Sequence, residues 1–127
     1  MSVAVLSGDC NYSQRMAEQI LNVCMEKGCY TSFVPFHCYD EMLAYMAKSP
    51  FEAAVIASHN TDHFSHTHRV RELYPELKIV LMTNDSEVAV NGYKIGAVYC
   101  TDMQPDSNTL AEIATVLFEP ESVGYSE

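Results

Sequence analysis

Phe51-Glu52-Ala53-Ala54-Val55-Ile56-Ala57-Ser58-His59-Asn60 holds an unbroken apolar run, Ala53 to Ala57, between polar neighbours. The run is too short for a helix and suits a strand covered on both faces. A strand of that kind belongs to a parallel sheet. Val3 to Ser7, Tyr30 to Phe36, Lys78 to Met82 and Ala97 to Cys100 can pair with it. Helical patterns lie between these segments, which makes the chain an alternating β/α domain with the quoted strand at its centre. In open sheets of this class, ligands and chemistry gather at the carboxyl ends of the strands. Here that edge offers Ala57, Ser58 and His59.

Toward the amino end, Val3-Ala4-Val5-Leu6 reads as a buried strand that ends at Ser7-Gly8-Asp9. Asn11 or Ser13 is placed to cap the helix that follows, and Asp9 caps or is solvated, with a metal ligand as the alternative. Met16, Ile20, Val23 and Cys24 recur at helical spacing, and Gly28 suits the stop. Tyr30 to Phe36 is a second strand, and Met42, Leu43 and Met46 stripe a short helix closed by Ser49-Pro50.

Toward the carboxyl end, a polar loop with four of the five histidines is expected, then a helix clear from His68 to Tyr74. Lys78 to Met82 delivers Thr83-Asn84-Asp85 to the same edge as Asp9 and Ser58. Ser86 is expected to cap a helix to Ile95 that Gly92 weakens. Gly96 to Cys100 is a fifth strand, and a last helix from near Ser107 carries Leu110, Ile113, Ala114 and Leu117 on one face. The pattern predicts residues 1–118 as one domain, with Glu119 to Glu127 as a tail or the start of a linker. The fold class is α/β: a flavodoxin-like (βα)5 doubly wound parallel sheet of order 2-1-3-4-5.

At 127 residues the chain can bury roughly two-thirds of its unfolded surface in one core. A formal net charge of -10 opposes direct contact with nucleic acid or an anionic membrane. No apolar run is long enough to span a bilayer, and Met-Ser-Val-Ala-Val-Leu lacks a basic signal-peptide start, so a cytoplasmic location is expected. Five cysteines without CxxC spacing read as reduced thiols.

In this order and spacing the chain resembles the receiver domain of bacterial response regulators. The resemblance rests most on Lys78-Ile79-Val80-Leu81-Met82-Thr83, then Glu87 to Ile95, Gly96-Ala97 and Gln104-Pro105. The Tyr93-Lys94-Ile95-Gly96-Ala97 ending is most similar to receivers that precede LytTR-type DNA-binding domains, which implies a role in transcription regulation through an output domain. The family's chemistry implies an acid pair after the first strand to hold a divalent cation, an acceptor Asp after the third, and a Lys after the fifth. The cation and the ammonium stabilise developing phosphoryl charge.

Against that pattern the chain offers Ser7-Gly8-Asp9 for the acid pair, Ala57 or Ser58 for the acceptor, and Gln104 for the lysine. One carboxylate makes a poor magnesium site. Thr83 matches the phosphate-sensing hydroxyl, and Tyr99 matches the switch aromatic. The expected reading is a degenerate receiver, not an enzyme and without a cofactor, that works through protein contacts. Tyr93 and Tyr99 would widen an apolar surface of the fourth helix, fifth strand and last helix, suited to a partner or a second copy.

Two alternatives stand beside it. Ser58 or Asp85 could serve as a replacement phosphoacceptor. The His59 to His68 segment, with His59, His63 and His66 as candidate ligands, could capture a transition metal, although no metal is the expected state. Ser7-Gly8-Asp9-Cys10-Asn11 would set a flavin phosphate against Asp9, so no flavin is expected.

Overall fold

The computed structural model describes residues 2–29, 31–58 and 61–118. Tyr30, His59, the side chain of His63 and the 119–127 tail, all part of the sequence reading, lie outside the described residues. The elements are β1 (Ser2–Leu6), α1 (Cys10–Glu26), β2 (Ser32–Phe36), α2 (Tyr39–Lys48), β3 (Ala53–Ala57), α3 (Thr61–Leu73), β4 (Lys78–Met82), α4 (Ser86–Lys94), β5 (Tyr99–Thr101) and α5 (Ser107–Phe118). Their strands form one sheet of order β2-β1-β3-β4-β5, and every pairing is parallel.

Every residue of β3 is buried, as a strand covered on both faces requires. Side chains alternate between two layers. Val3, Val5, Val55, Val80 and Met82 pack beneath α1 and α5 with Met16, Ile20, Ile113 and Leu117. Ala4, Leu6, Ile56, Ile79 and Leu81 face Met42, Met46, Val70 and Val88 of α2, α3 and α4.

Two helices stop on glycines held in the left-handed region, Gly28 at φ 79° and Gly96 at φ 84°. At each, the two amides after the cap donate back into the last turn. Gly28 N and Cys29 N reach Met25 O and Cys24 O, and Gly96 N and Ala97 N reach Tyr93 O and Gly92 O.

The structure corrects four local readings. The expected histidine loop is largely helix, because α3 begins at Thr61. Its inward stripe is Phe64, Thr67 and Val70, and a threonine at the centre of the stripe hides the period. β5 starts at Tyr99, not Gly96, because Gly96 and Ala97 are engaged in ending α4. Asp9, not Asn11 or Ser13, caps α1, and Asp85, not Ser86, caps α4.

Candidate functional site

The carboxyl edge is built from one short device used twice. After β1, Ser7 Oγ accepts from Asp9 N at 3.1 Å, and Asp9 Oδ1 accepts from Asn11 N at 3.0 Å and Tyr12 N at 3.4 Å. After β4, Thr83 Oγ1 accepts from Asp85 N at 3.0 Å, and Asp85 Oδ1 accepts from Glu87 N at 2.9 Å and Val88 N at 3.2 Å. A hydroxyl fixes the turn, and the carboxylate two residues on satisfies the free amides of the next helix. Asp9 and Asp85 are thus held as helix caps.

The other edge positions are neutral. Ala57 is the last residue of β3 and pairs with Met82, one residue before Thr83. The receiver resemblance puts the acceptor at Ala57 or at Ser58. Ser58 is enclosed, at 0% exposure, and its amide donates to Met82 O. Gly8 is exposed between Ser7 and Asp9. Gln104 lies beyond β5, with its amide on Asp102 Oδ1 at 3.0 Å, and no Lys or Arg occurs from Ile95 to Phe118.

Over β4 and β5 the edge is closed by residues that the sequence reading did not single out. The Tyr12 hydroxyl donates to Met103 O at 2.7 Å and touches Met82 Sδ at 3.7 Å, while Met103 N donates to Asn84 Oδ1 at 3.1 Å. Burial pushes the Tyr12 phenol up to about 12, with the Arg15 guanidinium opposing and Asp102 adding to the rise. The signal for Tyr12 was present: with Met16 and Ile20 it extends the inward i, i+4 stripe of α1 by one turn.

On the other side of the edge, between β1 and β3, lies a cleft of about 130 Å³. Leu6, Ile56 and Ala57 line it with Gly8, His37, Tyr39 and His66. The rings of Tyr39 and His66 stack, with centroids 4.2 Å apart and planes 9° apart. Tyr39 Oη and Thr67 Oγ1 are sealed from solvent, with no hydrogen-bond partner among the described residues. Of the expected histidine ligands, only His66 has a described position beside a site. Among the described residues no group of three or more His, Cys, Asp or Glu side chains is arranged to hold a metal ion.

Tyr99 is half-buried on β5, and its hydroxyl is bonded to Glu112 of α5. That carboxylate bond, with burial, raises the phenol to about 12. Nearby, Val90 and Tyr93 of α4 and Val98, just before β5, are exposed by 55%, 59% and 37%.

No protein-family model matches the sequence, and no curated protein does. Solved structures do match the fold. A CheY-like response regulator receiver domain protein from Methanospirillum hungatei JF-1 superposes with a TM-score of 0.72 at 20% identity, covering 97% of this chain and 98% of that one. A pilus assembly-related protein from Burkholderia pseudomallei K96243 gives 0.74 at 13% identity, over 92% and 88% of the two chains. A CpaE pilus assembly protein from Burkholderia thailandensis E264 gives 0.74 at 11%, over 92% and 97%. With the strand order, helix count and near-complete coverage in agreement, the chain has the CheY-like receiver fold.

Proposed function

We propose that the chain is a degenerate receiver that acts in signal transduction through protein contacts, without phosphorylation of an aspartate. One observation carries the reading. The two aspartates after β1 and β4 cap helices, and the residue that ends β3 between them is Ala57. A phosphoryl group there would meet no acceptor carboxylate and no acid pair for its cation. The β5–α5 segment also brings no cationic side chain. Ser58 is enclosed and the Asp85 carboxylate is occupied, which weighs against either as a replacement acceptor.

The contact surface in this reading is formed by the exposed Val90 and Tyr93 of α4 and Val98 just before β5, with Tyr99 of β5 bonded to Glu112. Its occupant is a partner protein, an output domain or a second copy of the chain. The fold recurs both in a protein named as a receiver and in proteins named for pilus assembly. The net charge of -10 disfavours direct binding to DNA.

The test is incubation with acetyl phosphate followed by intact-mass measurement, with thermal unfolding in magnesium and beryllofluoride alongside. The expected result is an unmodified mass and an unchanged melting temperature. A phosphoryl adduct, or a clear stabilisation by beryllofluoride, overturns the reading.

A further inference from the structure

The end of α1 sets two of the five cysteines against each other. Gly28, at φ 79°, turns the chain so that Cys29 N donates to Cys24 O at 2.9 Å while Gly28 N donates to Met25 O at 3.0 Å. In a helix stop of this form, the residue after the glycine packs back on the residue whose carbonyl takes its amide. Here both are cysteine. Cys24 is fully buried in the layer under α1 and α5, and Cys29, half-buried, packs against the same layer. A backbone hydrogen bond holds two residues about as close as neighbouring strands stand, and that falls within the span a disulfide bridges. The other three cysteines sit elsewhere: Cys10 begins α1, Cys38 precedes α2, and Cys100 of β5 reaches Ala89 O on α4.

The two sulfurs differ in access. Burial pushes the Cys24 thiol up to about 11, with Cys29 adding to the rise and Lys27 opposing it, so the neighbouring thiol is near enough to be felt. The half-exposed Cys29 is therefore the sulfur that attacks, and the sealed Cys24 is the one that resolves. Two alanines would serve the packing of this turn equally well; two thiols add a reaction to it.

We propose that Cys24 and Cys29 form a modification site, a dithiol that closes reversibly to a disulfide by exchange with a low-molecular-weight disulfide. The Cys29 thiolate attacks one sulfur of oxidised glutathione, and the first glutathione leaves as its thiolate. The Cys24 sulfur gives its proton to solvent, attacks Cys29 Sγ and displaces the second glutathione. Both released thiolates take up protons, so the two protein thiols lose two electrons and one external disulfide gains them. The new bond ties the end of α1 to the chain entering β2, the edge strand of the sheet. It lies at the amino ends of the strands, so it does not depend on Ala57 or on whether the chain accepts a phosphoryl group.

The reduced full chain is incubated with oxidised glutathione, blocked with N-ethylmaleimide and digested with trypsin. Trypsin cuts after Lys27, between the two cysteines, so peptides 16–27 and 28–48 should stay joined, lighter by two hydrogens than their sum, and part with dithiothreitol. Cys38 lies on the second peptide, and variants separate it from Cys29. The link should persist in Cys38→Ser and vanish in Cys29→Ser, with circular dichroism confirming that each is folded. Cys24→Ala should stop at a glutathione adduct on Cys29. Unlinked peptides, a link that survives Cys29→Ser, or a parent chain that stops at the glutathione adduct on Cys29 overturn the site.

Discussion

The Tyr12 hydroxyl joins the first turn of α1 to the segment after β5, and its bond to Met103 O is short and buried. Phenylalanine at this position would leave that carbonyl without its partner. Tyr12→Phe is therefore expected to cost about 1–3 kcal/mol in urea unfolding at neutral pH. The pH dependence has a definite sign. The folded phenol holds its proton up to about 12 against about 10 in the unfolded chain. Its contribution is complete below the lower value and is lost as pH rises through the higher one. Tyr99, raised to about 12 by Glu112, adds to the same alkaline window. Tyr12→Phe should thus flatten part of the alkaline loss of stability, and a variant with the parent's full alkaline slope would refute the assignment. At this scale the sequence was only partly readable. Ser7-Gly8-Asp9 and Thr83-Asn84-Asp85 share a hydroxyl-x-aspartate pattern, and that pattern marks Asp9 and Asp85 as caps. Judged singly, Asn11, Ser13 and Ser86 are equally good capping residues, and only the turn made by the preceding hydroxyl excludes them.

At the level of elements, α4 is held from two sides. A methyl added at Gly92 would stand 2.4 Å from Leu81 Cδ2 and 3.3 Å from Cys100 Sγ. Leu81 is fully buried in the packed layer under α4. Gly92→Ala should therefore destabilise by about 1–3 kcal/mol, although alanine is the better helix former by about 1 kcal/mol. A neutral or stabilising result would mean that α4 can lift from β4 and β5. From the other side, Arg71 of α3 donates to Ile95 O at 2.8 Å and Gly96 O at 3.2 Å, and also to Tyr74 O at 3.3 Å and Pro75 O at 2.7 Å. Arg71→Ala should speed amide exchange at Ile95, Gly96 and Ala97. Arg71→Lys should not restore it, because a single ammonium cannot replace the fork. Exchange unchanged in Arg71→Ala would remove the residue as an anchor. The elements differ in how legible they were. β3 and β4 have the bounds that the sequence predicts, since their buried residues, Ala53 to Ala57 and Ile79 to Met82, are continuous apolar runs. α3 was hidden because its inward residues include Thr67, while His66 and His68 on its exposed side read as loop. The cleft was hidden for a related reason: His37 and Tyr39 come from one segment and His66 from another, and only the fold brings them to Leu6 and Ile56.

For the molecule as a whole, the sheet is the element that both helical layers share. Val55 and Ile56 are consecutive residues of β3, yet Val55 packs beneath α1 and α5 while Ile56 faces α2, α3 and α4. Neither layer can come away without exposing the other's strands to water, so the two should unfold together. Ile113 under α5 and Ile79 on the opposite face are both fully buried. Ile113→Ala and Ile79→Ala should each cost about 2–5 kcal/mol. The tyrosines make the prediction measurable, because the chain has no tryptophan. Tyr12 and Tyr99 report on the α1 and α5 layer, and Tyr39 and Tyr74 on the other. In both variants tyrosine fluorescence and far-ultraviolet circular dichroism should shift by the same amount and keep a common midpoint. If Ile113→Ala separates the two transitions, the layers are independent folding units.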